Sequence, residues 1–121
     1  MPAHDVLPDF QFGFITYGPS LLDDRPEAGR RFMVAYLQAV RQFGQGKTER
    51  NREIIARNTG LDRDLLQQMC WAPYERDGRA NVESMIDFQN WALAKGYLDR
   101  VVSQEELWEP TFVEYANREL A

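Results

Sequence analysis

Apolar positions along the chain follow two different periods. Between residues 9 and 17, Phe10, Phe12 and Phe14 alternate with polar or small residues, which is typical of a β-strand. From Pro26 onward, apolar residues recur every three or four positions, as in amphipathic helices. Two such predicted faces are Phe32, Met33, Tyr36, Leu37, Val40 and Phe43, and Phe112, Val113, Ala116 and Leu120. The sequence therefore predicts a mainly α-helical fold with one N-terminal β-strand.

Turn and capping residues mark the predicted helices. Pro26 suits a first helical position and Gly60 a helix end, while Ser103 and Glu106 have the spacing of a capping box. We expect a helical turn at 20–24, a helix at about 26–43, and a pair formed by a helix at about 48–59 and a short one that begins at Asp62. A further helix should follow an Asn81 cap and end at Gly96, a short one should begin at 103 and stop before Pro110, and the last should span about 111–120. Glu27 and Arg31 are four residues apart and predict an ion pair in the first of the long helices.

The helix expected between Asn81 and Gly96 has a wide apolar surface, so we predict that it is central to the core and that Trp91 is buried. The predicted strand poses a different problem, because no second strand of similar strength follows it. Only a short extended piece near residues 71–74 is a weak candidate. We expect the strand to pair with another chain or with sequence outside this chain, and so to favour homo-oligomers.

Charge and hydropathy narrow the range of partners. Fourteen Lys and Arg stand against nineteen Asp and Glu, for a net charge of -5, which argues against nucleic acid as the main partner. No uninterrupted apolar run approaches the 18 or so residues that a bilayer-spanning helix needs, so we predict no membrane insertion.

The residues of common catalytic and metal sites are scarce. The only histidine is His4, in a predicted flexible terminus of residues 1–8, and the only cysteine, Cys70, is expected to be a buried thiol. The acidic pairs 23–24 and 105–106 fall at expected helix starts, where carboxylates are favoured as caps. We predict no catalytic residue, no metal, no cofactor and no enzymatic activity.

Two local features leave other functions open. The segment EIIARNTGLDRDLLQQM has the layout of a helix-turn-helix, but Asp62 and Asp64 at its second helix would repel phosphates, leaving Arg63, Gln67 and Gln68 to read bases. Trp71 and Tyr74 lie in a predicted loop and are candidates for a ligand or an interface.

Three stretches resemble the C-terminal part of the periplasmic substrate-binding proteins of the nitrate, sulfonate and taurine class, a family that includes binders of thiamine pyrimidine precursors. They are GPSLLDDRPEAGRRFMVAYLQAVRQ, NREIIARNTGLDRDLLQQM and DGRANVESMIDFQNWALAKGYLDRVVSQEELWEPTFVEYANREL. The resemblance spans about residues 12–120 and is most specific at 91–98 and 111–116.

This resemblance implies that residues 9–121 are an incomplete lobe of a two-lobed α/β fold of the type II periplasmic-binding-protein kind. The predicted strand would return toward the first lobe, which places Tyr17, Gly18 and Ser20 near the hinge as substrate-binding candidates. The family's N-terminal segments, which supply most ligand contacts, have no counterpart in this chain.

The leading expectation is thus the C-terminal portion of a solute-binding protein of an ABC importer, which binds a small anionic or heterocyclic nutrient and an ABC permease without catalysis. The alternative is a truncated helical interaction module that self-associates, and a DNA-binding regulator is less favoured. The first expectation places the protein outside the cytoplasm as part of a longer precursor; a complete chain would be cytoplasmic.

Overall fold

A computed structural model describes residues 5–121, which form a π-helical turn followed by six α-helices. The turn is Ser20–Asp24, and the helices are α1 (Pro26–Phe43), α2 (Glu49–Thr59), α3 (Arg63–Gln68), α4 (Val82–Ala94), α5 (Gln104–Leu107) and α6 (Thr111–Glu119). This confirms a mainly helical protein. Residues 1–4, with His4 and half of the predicted flexible terminus, lie outside the described residues.

The predicted N-terminal strand is wrong, because residues 5–121 contain no strand and no sheet. The described part of the chain therefore lacks the sheet of the expected α/β lobe, and residues 71–74 do not form a strand either. The alternation of Phe10, Phe12 and Phe14 lacks the second strand whose backbone groups a ladder requires. Instead, residues 9–17 run from the start of α4 to α1 and α6, anchored by Gln11 and Tyr17.

The core lies between α1 and α6. Met33 and Leu37 of α1 pack with Phe112, Val113 and Ala116 of α6, and these side chains are at most 4% exposed. Tyr36, Trp108 and Leu120 are among the partly buried side chains around this cluster. The apolar spacings of the two helices predicted these faces, and both pack against each other here, although Phe32 on the α1 face is 45% exposed.

The α2–α3 hairpin begins and ends as its sequence predicts. Thr48 caps α2 by accepting a hydrogen bond from the Asn51 backbone N–H, and Gly60 ends the helix with a left-handed φ of 73°. Asp62 caps α3 through its carboxylate. The buried Asn51 amide ties the hairpin to α1, since it donates to the backbone carbonyls of Gln42 and Gly46 at 2.8 and 2.7 Å.

The loop between α3 and α4 is held against the α1–α6 core. Gly78 has a φ of 71° and lies so close to Leu37 that an added Cβ would come within 2.5 Å of Cδ2 of Leu37. The amide of Asn117 on α6 donates to the Asp77 carbonyl at 2.7 Å. Cys70, at the start of this loop, is exposed, so the predicted buried thiol is wrong.

The position of α4 also differs from the prediction. Only Ala92 of this helix is buried, and Trp91 is 50% exposed rather than part of the core. The reason is the packing partner: α4 lies against α5 and residues 9–12, while α1 and α6 cover each other. Among residues 5–121, no helix is both long and apolar enough to cross a bilayer.

Candidate functional site

A continuous row of aromatic rings lies on the outside of α4. We call it the α4 surface and define it as Phe10, Phe12, Phe88, Trp91 and Tyr97. Centroids of successive rings are 4.8 Å apart for Phe12 and Phe10, 5.7 Å for Phe10 and Phe88, 5.5 Å for Phe88 and Trp91, and 5.8 Å for Trp91 and Tyr97. Apart from the half-buried Phe10, these side chains are 49% to 71% exposed.

Local sequence builds this row. Phe88 and Trp91 are three residues apart and so lie on one side of the helix. Gly96, with a φ of 75°, ends α4 and lets the Tyr97 backbone N–H bond to the Ala92 carbonyl at 2.9 Å. That return of the chain places the Tyr97 ring beside Trp91.

Polar contacts attach the N-terminal segment to the start of α4. The Gln11 backbone N–H donates to Oγ of Ser84 at 3.1 Å, and the Gln11 side chain accepts from the Asn81 N–H at 2.9 Å. Asn81 also caps the helix by accepting from the Ser84 N–H and donates to the Asp9 carbonyl. These bonds hold Phe10 and Phe12 in the row, although the segment has no regular secondary structure.

An acidic groove of about 310 Å³ adjoins the α4 surface. Phe10 and Phe88 contribute rings to it, and Asp9, Glu83 and Asp87 contribute carboxylates; among residues 5–121, no Lys or Arg lines it. An apolar patch bordered by anions favours partners that present apolar side chains together with cations.

Tyr17 is held by packing. Its ring lies edge-on to Phe112 and Phe32, with centroid distances of 5.1 and 6.3 Å. Within the described residues, its hydroxyl is buried and has no hydrogen-bond partner. Burial, with a smaller contribution from Tyr36, raises the pKa of Tyr17 to about 12.

The other hinge candidates lie at the π-helical turn. The Gly18 carbonyl accepts from the backbone N–H groups of Leu21 and Leu22, and the Ser20 carbonyl accepts from the Arg25 N–H. Both residues are exposed. Their backbone groups therefore serve the turn, and within residues 5–121 neither residue lines the grooves described here.

Trp71 and Tyr74 meet at the C-terminal end of α1. Trp71 stacks on Phe43 at 4.8 Å and donates through Nε1 to the Leu66 carbonyl at 3.0 Å, while Tyr74 lies edge-on to Phe43 at 5.4 Å. Trp71 thus closes the α2–α3 hairpin onto α1, and Tyr74 remains 55% exposed.

A second, polar groove of about 510 Å³ lies beside the end of α1, lined by Gln38, Arg41, Gln42, Gly44, Gln45 and Arg76. The Arg41 guanidinium donates to the Leu120 carbonyl at 2.7 Å and to Oδ1 of Asn117 at 3.1 Å. Arg41 therefore joins α1 to α6, which reduces the number of its N–H groups that face a ligand.

One of the three predicted base-reading residues, Arg63, is engaged in an ion pair within the hairpin. Arg63 forms an ion pair with Glu49 at 2.9 Å, and Glu49 also pairs with Arg52 at 2.7 Å. Asp62 and Asp64 lie at the start of α3 as the sequence predicted. The hairpin has the layout of a helix-turn-helix. However, Arg63, the one cation among the predicted base-reading residues, is held in an ion pair between α2 and α3.

Two carboxylates with lowered pKa values, Glu106 and Glu109, lie at the starts of α5 and α6. The backbone N–H of Ser103, followed by the Arg100 guanidinium, lowers the pKa of Glu106, and hydrogen bonds from Thr111 lower the pKa of Glu109. In residues 5–121, no three metal-binding side chains cluster together. The most prominent feature of the described surface is the aromatic row of the α4 surface.

Comparison with protein-family models, curated proteins and solved structures finds no match for this chain. The resemblance to solute-binding proteins and the five ligand-binding candidates stay predictions.

Sequence reasoning missed the α4 surface. The apolar positions of α4 were recognised, but they were assigned to the core. The number of apolar helix faces could have indicated this surface. The faces of α1 and α6 are enough to cover each other. A third wide face then has no partner within the described fold.

Proposed function

We propose that this chain is a helical interaction module that self-associates through the α4 surface. One observation carries the proposal: five aromatic side chains on or beside a single helix form a continuous row, and four of them are 49% to 71% exposed. Soluble monomers seldom expose large contiguous apolar patches unless these serve binding. Aromatic residues are also those most often found at the energetic centre of protein interfaces.

The extent of exposed surface supports the same function. The accessible surface of the chain is 8928 Å², about a third more than the roughly 6,700 Å² that size scaling gives for a monomer of 14.1 kDa. A standard interface buries about 800 Å² on each partner. The excess is therefore large enough to be covered by further copies of the chain.

Molar mass as a function of concentration tests the proposal. Sedimentation equilibrium from about 1 to 300 μM should show the wild-type mass rising above 14.1 kDa, because the micromolar range is typical of modest interfaces. The double variant Phe88→Gln and Trp91→Gln should stay monomeric. Leu22→Gln is the matched control, since Leu22 is 37% exposed and lies on the π-helical turn away from α4. A wild-type monomer at 300 μM contradicts the proposal.

Binding of a small nutrient as part of an ABC importer stays a prediction of the sequence resemblance. Its candidate residues fall into two groups, which contact α1 at Phe32 and Phe43; these positions are eleven residues, or about 16 Å, apart along the helix axis. Tryptophan fluorescence during titration with nitrate, taurine or a thiamine pyrimidine precursor tests it. A saturable change that the variant Trp71→Phe abolishes supports ligand binding, and unchanged spectra argue against it.

A further inference from the structure

The polar groove beside the end of α1 brings two arginines and three glutamines together. Its volume is about 510 Å³, and the residues that line it are Gln38, Arg41, Gln42, Gly44, Gln45 and Arg76. Among residues 5–121, no carboxylate lines it, although the chain as a whole has a net charge of -5. A groove whose charged side chains are all cations favours an anionic ligand.

Both arginines of this groove lack a carboxylate partner. Within the described residues, the arginines that form ion pairs with Asp or Glu are Arg30, Arg52, Arg57, Arg63, Arg79 and Arg100. The half-buried Arg41 instead donates to neutral acceptors, which are the carbonyls of Leu120 and Arg76 and Oδ1 of Asn117. These three bonds leave two of the five N–H groups of its guanidinium for a ligand.

Neighbouring carboxylates do not neutralise the second arginine. Glu75 and Asp77 flank Arg76 in the sequence, but neither lines the groove. The Asp77 carboxylate lies 3.7 Å from Nε of Arg79, with which it forms an ion pair. The positive charge of Arg76 is therefore available to a ligand in the groove.

The last turn of α1 adds little negative potential to the groove. Backbone carbonyls at the C-terminus of a helix carry partial negative charge, but those of Gln42 and Phe43 accept hydrogen bonds from the Asn51 amide at 2.8 and 3.4 Å. The backbone N–H groups of Gln45 and Gly46 bond to the same two carbonyls. These donors satisfy the carbonyls, so the two guanidinium groups remain the main charges of the groove.

The three glutamines supply both donors and acceptors. Gln38 is exposed, and within the described residues its side chain makes no hydrogen bond. The Gln42 amide nitrogen donates to Oε1 of Gln45 at 3.3 Å and to Oδ1 of Asn51 at 2.9 Å. Oε1 of Gln42 and the amide N–H groups of Gln45 are then left for a ligand. Groups of both kinds match hydroxyls, which also donate and accept.

We infer that the polar groove binds a small phosphate monoester whose remaining part carries hydroxyl groups, as in a sugar phosphate. The phosphate lies between Arg41 and Arg76, and the hydroxyls bond to the glutamine amides. A phosphate monoester carries a charge of about -1.5 to -2 at pH 7, which matches two cations, and guanidinium groups suit the geometry of phosphate oxygens. A volume of about 510 Å³ is ordinary for a small-molecule site and leaves room beside the phosphate.

Nuclear magnetic resonance titrations of the isotope-labelled chain test the inference. Glucose-6-phosphate, added to about 10 mM, should shift the side-chain N–H signals of Gln38, Gln45 and Arg76 saturably. It should bind about tenfold or more tightly than inorganic phosphate, which lacks the hydroxyls of the sugar, and glucose without the phosphate should not bind. Gluconate carries hydroxyls and a carboxylate. Binding of gluconate as tight as that of glucose-6-phosphate, or no saturable shift with glucose-6-phosphate, overturns the inference.

Matched variants locate the site. Arg76→Gln should weaken the binding of glucose-6-phosphate by about tenfold or more, because charge-assisted hydrogen bonds are lost. Arg79→Gln is the control, since it removes the same charge from the same loop but Arg79 does not line the groove. Gln38→Ala should weaken the binding of glucose-6-phosphate but not that of inorganic phosphate. All three side chains are exposed, so the variants should fold, as circular dichroism can verify.

The outcome is independent of the proposed self-association, because the groove shares no residue with the α4 surface. The variant with Phe88→Gln and Trp91→Gln should bind glucose-6-phosphate as the wild type does. Equal loss of affinity in Arg76→Gln and Arg79→Gln would show a non-specific effect of charge and would overturn the inference, whereas the proposed function would stand.

Discussion

The hydroxyl of Tyr17 shows how one side chain can satisfy packing and leave a polar atom unbonded. The ring fills the space between Phe32 and Phe112, while within the described residues the hydroxyl has no partner. The alternating pattern of residues 9–17 predicted that Tyr17 would be ordered by a strand. Contacts between aromatic rings order it instead.

Replacing Tyr17 with Phe should therefore stabilise the protein by about 1 kcal/mol, because a buried hydroxyl without a hydrogen bond costs about 1–3 kcal/mol. Urea unfolding of the wild type and of Tyr17→Phe measures the difference. Tyr115, which is half-buried with Arg30 lying over its ring, provides the control Tyr115→Phe, which should be close to neutral. A loss of stability in Tyr17→Phe would contradict the unbonded state of the hydroxyl.

The raised pKa of Tyr17 gives a pH dependence of defined sign. The folded state keeps the phenol protonated up to about pH 12, whereas an unfolded tyrosine ionises near pH 10. The unfolded state thus loses its proton first. Because of this group, the free energy of unfolding is constant below pH 10 and declines between pH 10 and 12. In that range Tyr17→Phe should lose less stability than the wild type, as thermal unfolding at several pH values can show.

Packing between helices explains which sequence patterns were interpreted correctly. The faces of α1 and α6 were assigned correctly, and Gly29 marks their closest approach, since a Cβ there would overlap the ring of Phe112. Ion pairs depended on finer geometry: Glu27 pairs with Arg30 at 3.1 Å rather than with Arg31 as the sequence predicted. Both spacings are compatible with a helix, and rotamers decide between them.

Gly29→Ala should destabilise the fold by about 1–2 kcal/mol, because overpacking costs about 1–3 kcal/mol and outweighs the gain of roughly 1 kcal/mol in helix propensity. The control Ala35→Gly, at an exposed position of α1, measures helix propensity in the same helix. Denaturant unfolding checks both variants. A gain of stability for Gly29→Ala would contradict the close contact between α1 and α6.

The capping box of α5 predicts a second pH dependence. Hydrogen bonds from the Ser103 N–H and from Arg100 lower the pKa of Glu106 in the folded state, so its contribution is present above the unfolded pKa and is lost as pH falls through the folded value. The stability difference between the wild type and Glu106→Gln should therefore shrink from pH 7 to pH 3. Glu105→Gln, outside the box, is the control, and a difference that is constant with pH would contradict the effect.

At the scale of the whole molecule, α1 and α6 form a well-packed pair, and α4 is only loosely attached to the rest of the fold. The α1–α6 pair encloses the core cluster, whereas α4 buries only Ala92 and depends on Gln11 and on α5. A helix with little burial opens at a lower free energy than the core. Such an element is stabilised when a partner covers it.

Hydrogen exchange should reveal this hierarchy. In dilute solution the amides of α4 should exchange faster than those of α1 and α6, and raising the concentration into the self-associating range should protect α4 in particular. Gln11→Ala should increase exchange in α4 without affecting α6. Equal protection of α4 and α1 in the monomer would contradict the loose attachment of α4.

The sequence by itself determined the helices, their caps and their turns. Thr48, Gly60, Asp62, Asn81 and the Ser103 capping box act within a few residues of their own positions, so local patterns were enough. The faces of α1 and α6 followed from periodicity for the same reason.

Only the tertiary structure decided the rest: whether residues 9–17 had a strand partner, whether Cys70 was covered, and which apolar faces met. A strand requires a second segment, and burial requires a partner surface, neither of which a local pattern specifies. The faces of α1 and α6 covered each other, and the α4 surface, which includes Trp91, was left at the outside.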